Sequence, residues 1–263
     1  MATSSPSVVR HLAETTLLQE EALRDPRSYI AVLRAIAAGH TRANDIPQAA
    51  GLPDSAALQE RLDRLMDLRL VRRERNLGAG KTVAFRYRLA DPALRFYYRF
   101  VTPYESMLVR EQPNLVWKER IAPDLPAYMG LIFEEVAREA YLRWQADRDL
   151  PAVREWGRWE GVDKDRQPLE MDVAATLVRG GKGATLTGGV KWSSSPLPVK
   201  WYTHHESMVE RLAASGIGWA KDAQHRNAPL LFLSAAGYTH AFRAAAQETR
   251  TRVHLWTLDD LFP

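Results

Sequence analysis

Cysteine is absent from this 263-residue sequence, which excludes disulfide bonds, thiolate metal sites and cysteine nucleophiles. A cysteine-free chain suits a reducing compartment, so we expect a cytoplasmic protein. No stretch approaches 18 consecutive apolar residues, so we expect no contact with a membrane. The first 21 residues contain no apolar segment of the secretory type, so no secretory signal is expected there either.

A nucleotide-binding loop is also missing. Residues 78–82 (GAGKT) look like the end of a Walker A loop, but Arg75 stands where that loop needs a glycine. The loop also needs a buried strand before it and a helix after it, whereas a charged strand and an alternating strand flank this stretch. We therefore expect a hairpin turn here and no ATP site in this chain.

Positive charge is concentrated in the first third of the chain. The 36 Lys+Arg and 32 Asp+Glu residues give a net charge of +4. Up to Pro103 there are 16 basic and 11 acidic residues, a net charge of +5, and the remaining 20 basic and 21 acidic residues give −1. Basic surfaces favour polyanions, so DNA is the expected partner if a suitable scaffold presents these charges.

The first third predicts three short helices followed by a β-hairpin. Apolar residues recur at helical spacing over 28–39, a second short helix ends at Gly51, and a third opens at Pro53. The apolar residues of this third helix that should face a core are Leu58, Leu62, Leu65, Met66 and Leu68. Strand-like runs over 70–75 and 83–89 flank the turn. This order predicts a winged helix-turn-helix over residues 26–90, after an N-terminal extension over residues 1–25.

Nine polar or basic side chains of this module are expected to meet DNA. They are Gln59, Arg61 and Arg64 on the third helix, and Arg72, Arg73, Arg75, Lys81, Arg86 and Arg88 on the hairpin. The alternative is a solvated hairpin in a module that binds another protein.

The rest of the chain predicts a helical bridge over 91–126 and a second domain over 127–263. Asp91 and Pro92 can start a helix, and the aromatic residues that follow predict that this helix is buried between the two domains. In the second domain the expected order is one helix, three strands, a helix, a strand, a helix and a last strand. That order indicates an α/β or α+β sheet sandwiched by helices.

A candidate site for a divalent metal ion is expected on two neighbouring strands of this sheet. Asp172 lies near the start of one strand, and Lys191 lies near the end of its partner strand. Residues two apart in a strand point to the same face, so Glu170 shares the face of Asp172. Carboxylates and a lysine on one face can hold Mg²⁺ or Mn²⁺ and stabilise charge on a phosphate. The alternative is an exposed cross-strand ion pair with no catalytic role. The adjacent His204 and His205 lack the spacing of a helical metal site, so we place them at a surface or at a helix start.

Two motifs carry a family resemblance. Residues 169–175 (LEMDVAA) and 188–192 (GGVKW) resemble the E-I-D-(apolar)…G-E-x-K-W pattern of the PD-(D/E)XK nuclease superfamily, whose fold is restriction-endonuclease-like. Residues 87–96 (YRLADPALRF) and 133–135 (FEE) resemble the C-terminal region of prokaryotic DEXX-box ATPases. The resemblance spans about residues 25–256 and lacks the ATPase module, so we expect a stand-alone version or an excised fragment of that family.

The resemblance implies site residues and one departure. Asp172 and Lys191 match the metal ligand and the lysine of the pattern, and Glu134 matches the acid of the first helix. Gly189 stands where the pattern has glutamate. A site built from Asp172, the carbonyl of Val190 and waters, with Glu170 as a substitute acid, would bind Mg²⁺ or Mn²⁺ weakly.

Three functions follow from these observations. The first is a DNA-binding protein with a winged helix and a degenerate nuclease-like domain that cuts weakly or not at all. The second is an active metal-dependent DNA endonuclease that uses Glu170 or Glu134 as the substitute acid. The third is a protein-interaction module that partners a separate ATPase. Homodimer formation stays open in all three.

Overall fold

A computed structural model describes residues 25–53, 55–79, 85–110 and 112–261 of the protein. The chain forms two compact units. The first comprises Met1–Arg75 and Thr82–Asp124, and the second comprises Asn76–Lys81 and Leu125–Pro263. The predicted N-terminal extension lies outside the described residues except for Asp25.

The first unit begins with three helices and a two-stranded antiparallel sheet. These elements are α1 (Pro26–Ala37), α2 (Ile46–Ala50), α3 (Ser55–Asp67), β1 (Val71–Glu74) and β2 (Arg86–Leu89). Proline within the first turn fixes φ for α1, and Gly51 ends α2 in the left-handed conformation with φ 67°. The predicted order of three helices and two strands is confirmed. Residues 83 and 84 of the predicted return strand lie outside the described part of the chain.

The core of the first unit is formed by the predicted apolar stripes. Val32 and Leu33 of α1 pack with Leu62 and Leu65 of α3, and all four side chains are buried. Spacing of three and four residues places such side chains on one helical face, so the core-facing residues can be predicted from the sequence.

A run of short helical segments completes the first unit. They are α4 (Pro92–Phe96) with a π-helical continuation (Tyr97–Val101) and a 3-10 turn (Thr102–Tyr104), then α5 (Glu105–Val109), and α6 (Pro113–Val116) with a second π-helical continuation (Trp117–Ile121). The Asp91 carboxylate accepts hydrogen bonds from the main-chain N–H groups of Ala93 (2.7 Å) and Leu94 (3.1 Å), so it caps α4 as predicted. Tyr97 and Tyr98 are buried in the core of the first unit.

The second unit is a five-stranded sheet with helices on both faces. Its helices are α7 (Leu125–Trp144), α8 (Val199–Ala214), α9 (Gly218–Ala223) and α10 (His240–Thr249), followed by a 3-10 turn (Leu258–Asp260). Its strands are β3 (Val153–Val162), β4 (Pro168–Leu177), β5 (Thr185–Lys191), β6 (Leu230–Ser234) and β7 (Val253–Trp256). The spatial order follows the chain order. Strands β3, β4 and β5 are antiparallel neighbours, whereas β6 and β7 run parallel to β5.

Strand β6 shows that the sheet is covered by helices on both faces. Leu231 and Leu233 pack into a cluster with Phe133 of α7, whereas Leu230 and Phe232 pack into a cluster with residues of α8 and α10. Successive strand residues point to opposite faces, so a strand buried on both faces reads as a continuous apolar run. None of the helices within the described ranges has the length and apolar character that crossing a bilayer requires.

The structure departs from the prediction at α8. Helix α8 begins at Val199, directly after Pro198 in an extended conformation, so neither His204 nor His205 lies at its start. His204 is exposed as expected, but the surface or helix-start placement of His205 is wrong. His205 lies on the buried face of α8 with Tyr202 and Val209, three and four residues away.

Gly188 generates a stability prediction, because a side chain there would overlap the main-chain carbonyl of its β6 partner Leu231. Gly188→Ala should lower the free energy of unfolding by about 3 kcal/mol, since β5 and β6 must separate to accept the methyl group. Gly180→Ala is the control, because a Cβ at that position meets no atom within 4 Å. Urea unfolding of both variants measures the difference, and equal stabilities would contradict the close strand approach.

Candidate functional site

Asp172 and Lys191 meet on neighbouring strands of the second unit. Lys191 Nζ lies 3.1 Å from Asp172 Oδ2, and the main-chain N–H of Val190 donates to the same oxygen at 3.0 Å. The Asp172 side chain is 10% exposed and that of Lys191 is 35% exposed. The carboxylate is therefore held by two donors of β5, and it forms a partly buried ion pair rather than a fully exposed one.

A β-bulge gives Asp172 its position. Arg158 of β3 alone lies opposite the two residues Asp172 and Val173 of β4. As a consequence Met171 and Val173, which are two residues apart, pack into different apolar clusters. Bulges re-aim side chains in this way, and strict alternation along β4 therefore does not hold at this point.

A pocket of about 100 Å³ lies beside the ion pair. The residues that line it are Glu170, Asp172, Gly188, Gly189, Lys191, Leu197, Trp201, His204, His205, Met208 and Phe232. A Cβ built on Gly189 would lie 3.7 Å from Asp172 Oδ2 and 3.2 Å from Phe232 Cε1. Position 189 therefore faces Asp172, and a longer side chain there would enter the same pocket.

Aromatic rings from α8 and from β6 line part of the pocket. Lys191 Nζ lies 5.0 Å from the centroid of the Trp201 ring, within the range of a cation–π contact. Phe232 contacts the ring of His205 edge-on at 5.1 Å between centroids. The lysine is thus oriented by a carboxylate on one side and an aromatic ring on the other.

The two other predicted acids are held by an arginine. The Arg158 guanidinium is hydrogen-bonded to Glu170, and its Nη1 lies 3.9 Å from Glu134 Oε2. Its Nη2 lies 3.7 Å from Glu160 Oε2. Arg158 is not predictable as a site residue from the sequence, since an arginine on an amphipathic strand carries no signal of its own.

The described residues do not form a complete metal site. Within the described ranges, no group of three or more His, Asp or Glu side chains is arranged to hold a metal ion. Asp172 Oδ2 already accepts from Lys191 and Val190, and Glu170 is paired with Arg158. Mg²⁺ in proteins usually keeps several waters and is held by one or two carboxylates, and here both candidate carboxylates already have partners in the chain. The predicted roles of Asp172, Val190 and Glu170 as ligands stay predictions.

His205 is a second buried polar group of this region. Its Nε2 lies 3.2 Å from Thr187 Oγ1, and its Nδ1 is buried and finds no hydrogen-bond partner among the described residues. Burial is the main cause that lowers the pKa of His205 from 6.5 to about 3, and the positive charges of Arg250 and His204 contribute to the same shift. The imidazole is therefore neutral at physiological pH.

The predicted DNA-facing residues of α3 take part in contacts within the first unit. Gln59 Nε2 donates to Asp63 Oδ1 at 2.7 Å, and Arg61 donates to Ser28 Oγ at 2.6 Å and to the carbonyl of Ala57 at 2.7 Å. Arg64 is half-buried. The exposed side chains of α3 include three acids, which are Glu60, Asp63 and Asp67.

Four predicted arginines of the hairpin have partners of two kinds, a carboxylate or an aromatic ring. Arg72 and Arg88 both pair with Glu74, at 3.0 and 2.8 Å. Arg73 and Arg75 place their guanidinium carbons 4.6 and 3.8 Å from the ring centroid of Phe85. Arg86 lies on β2 opposite Glu74, and Arg73 is the exposed arginine of β1. Lys81 lies outside the described residues.

Comparisons with known proteins relate the chain to sequences without an assigned activity. Residues 97–207 match the DUF234 family, described as archaeal and bacterial proteins of unknown function. The chain is 27% identical over 172 residues to Uncharacterized protein MJECL04 of Methanocaldococcus jannaschii. That alignment covers 61% of this chain and 38% of the relative, so the chain spans well under half of the relative's length.

The burial of His205 generates a pH prediction. Because its folded pKa lies near 3 and its usual value is 6.5, the unfolded chain binds the extra proton between these values. Stability should therefore fall as the pH drops below about 6.5, by about 2 kcal/mol between pH 7.5 and pH 5 from this residue alone. His205→Gln should remove that share, and urea unfolding at both pH values measures it. The exposed His240 provides the control variant His240→Gln, and equal pH dependence in both variants would contradict the prediction.

Proposed function

We propose that this chain is a DNA-binding protein that combines a winged helix with a PD-(D/E)XK nuclease-like domain that has lost cleavage. One observation carries the proposal. Asp172 and Lys191 lie 3.1 Å apart on neighbouring strands, while the third position of the motif, Gly189, faces the same carboxylate without a side chain. The site thus keeps the acid and the lysine of the nuclease pattern and lacks its second acid.

The topology of the second unit supports the nuclease-like assignment. A long helix (α7) precedes an antiparallel meander of β3, β4 and β5, and a helix (α8) then leads to β6, which pairs in parallel with β5. The resemblance stated above implies this order, with both motif strands at the centre of the sheet. Asp172 and Lys191 lie on β4 and β5, the two strands that the motif requires.

The charges around Asp172 support the proposed loss of cleavage. A phosphate-cleaving metal site needs an ion that activates water and carboxylates that hold it. Asp172 has two donors of its own chain on one oxygen, and Glu170 and Glu134 both lie against Arg158. This pairing disfavours the reading in which Glu170 or Glu134 serves as the substitute acid of an active nuclease.

The first unit supports DNA binding through its hairpin. Three helices followed by an antiparallel hairpin is the element order of a winged helix, and both strands of this hairpin are rich in arginine. Arg73 is exposed beside Phe85. An exposed arginine supported by an aromatic ring suits contact with a phosphate backbone.

A second candidate function is favoured by α3. In a winged helix the third helix reads the major groove, but the exposed side chains of α3 include Glu60, Asp63 and Asp67. Like charges would repel DNA phosphates there. These acids favour a module that partners a protein, and the resemblance to the C-terminal region of DEXX-box ATPases makes a separate ATPase the partner that we propose in this case.

DNA binding is tested by fluorescence anisotropy with a labelled duplex of about 30 base pairs. We expect binding whose affinity falls steeply with salt, since neutralised phosphates release counterions. Arg73→Ala should weaken binding and reduce the slope of log affinity against log salt by about 1, because one phosphate contact is lost. Arg154→Ala is the matched control, since Arg154 is an exposed arginine of the second unit. Absence of salt-dependent binding would leave the ATPase-partner function.

The nuclease ancestry is tested at position 189. Gly189→Glu should tighten Mn²⁺ binding at least about tenfold over the wild type in titration calorimetry, because it adds a second carboxylate beside Asp172. The Phe232 ring must shift by a few tenths of an ångström to admit the side chain. Gly189→Gln is the isosteric neutral control.

Two outcomes would contradict this assignment. Equal Mn²⁺ affinity in both variants would mean that position 189 does not belong to a metal site. Mn²⁺-dependent DNA cleavage by the wild type that disappears in Asp172→Ala would show that the nuclease is intact.

A further inference from the structure

Arg158 is surrounded by carboxylates from three different elements of the second unit. Glu134 lies on α7, Glu160 on β3 and Glu170 on β4. The guanidinium contacts Glu170 directly and lies 3.9 Å from Glu134 and 3.7 Å from Glu160. The Arg158 side chain is 14% exposed, whereas the side chains of Glu134, Glu160 and Glu170 are 21%, 32% and 51% exposed, so water screens Glu170 more than the other two acids.

The charges of this group favour a cation among the acids. Carboxylates that converge on one place repel one another, and an arginine that is mostly buried needs negative partners. The guanidinium meets both needs, because it is planar, carries five donors and is charged at all physiological pH values. A divalent metal ion would meet the same need, so the two cations compete for the same oxygens.

We propose that Arg158 is the resident cation of this site and that its guanidinium excludes divalent metal ions from Glu134 and Glu170. The inference deepens the proposed function and rests on its premise that the sheet descends from a metal-dependent nuclease. Two features then act together. Gly189 removes one acid beside Asp172, and Arg158 ties up the two acids that could replace it.

The position of Arg158 in the sheet explains how it reaches these acids. Arg158 is the single β3 residue opposite the two-residue bulge at Asp172 and Val173. A bulge bends the strand and increases its local twist. Glu170, two residues before the bulge, is thereby a direct partner of the guanidinium, and Glu134 approaches it from α7. Because the cation is covalently part of the chain, its occupancy does not depend on metal concentration or on chelators.

Arg158→Met tests the inference, since it removes the charge but keeps an unbranched side chain of similar length. In the full chain, we expect this variant to bind Mn²⁺ in titration calorimetry at least about tenfold more tightly than the wild type. Its melting temperature should rise by about 4 °C when free Mn²⁺ is about tenfold above the dissociation constant. Arg158→Lys keeps a cation and should not gain Mn²⁺ affinity. Arg154→Met, an exposed arginine of the same strand, is the matched control.

Every outcome bears on the inference. A gain in Mn²⁺ affinity that is confined to Arg158→Met supports it. An affinity equal to that of the wild type, or an equal gain in Arg158→Lys or Arg154→Met, overturns it. If Arg158→Met is unfolded without metal, Mn²⁺ should restore its far-UV circular dichroism signal, and failure to do so overturns the inference. Because none of these measurements uses DNA, their failure is distinct from a failure of DNA binding.

Discussion

The pairing of partly buried carboxylates with cations of the same chain is the constraint on which the site of this protein depends. Asp172 is held by Lys191 and by a main-chain N–H, and Glu170 and Glu134 are held by Arg158. Asp172, whose side chain is 10% exposed, needs such partners most, because an uncompensated charge in a low-dielectric region costs several kcal/mol. For all three acids, the partner charges come from the chain itself.

The two units of the chain present different groups to a partner. The second unit presents a pocket whose acids are already satisfied, with an aromatic wall of Trp201 and Phe232. The first unit presents arginines on its hairpin and acids on α3. The proposed recognition of DNA or of a protein rests on residues of the first unit, and the proposed loss of cleavage rests on residues of the second.

The bulge in β4 connects backbone geometry to the electrostatics of the site. It places two residues opposite Arg158 and puts Met171 and Val173 into different apolar clusters. No side chain fits at Gly188, so β5 packs closely against β6 at this position. The same strand pairing places Lys191 opposite Ser234 of β6. One irregular pairing and one glycine thus set the relative positions of the charged groups.

The sequence by itself determined most of the element order, except for the short helix α9, as well as the apolar faces and the meeting of Asp172 with Lys191. These follow from local periodicity and from hairpin pairing, as with Val32, Leu33, Leu62 and Leu65 in the first core. Only the tertiary structure decided the burial of His205 and the grouping of three acids around Arg158. The burial of His205 depends on which element covers its face of α8. The charge cluster around Arg158 draws residues from α7, β3 and β4, and it depends on a bulge that has no pattern in the sequence. Periodicity assigns a side chain to a face, whereas the partners it meets there come from elements distant along the chain.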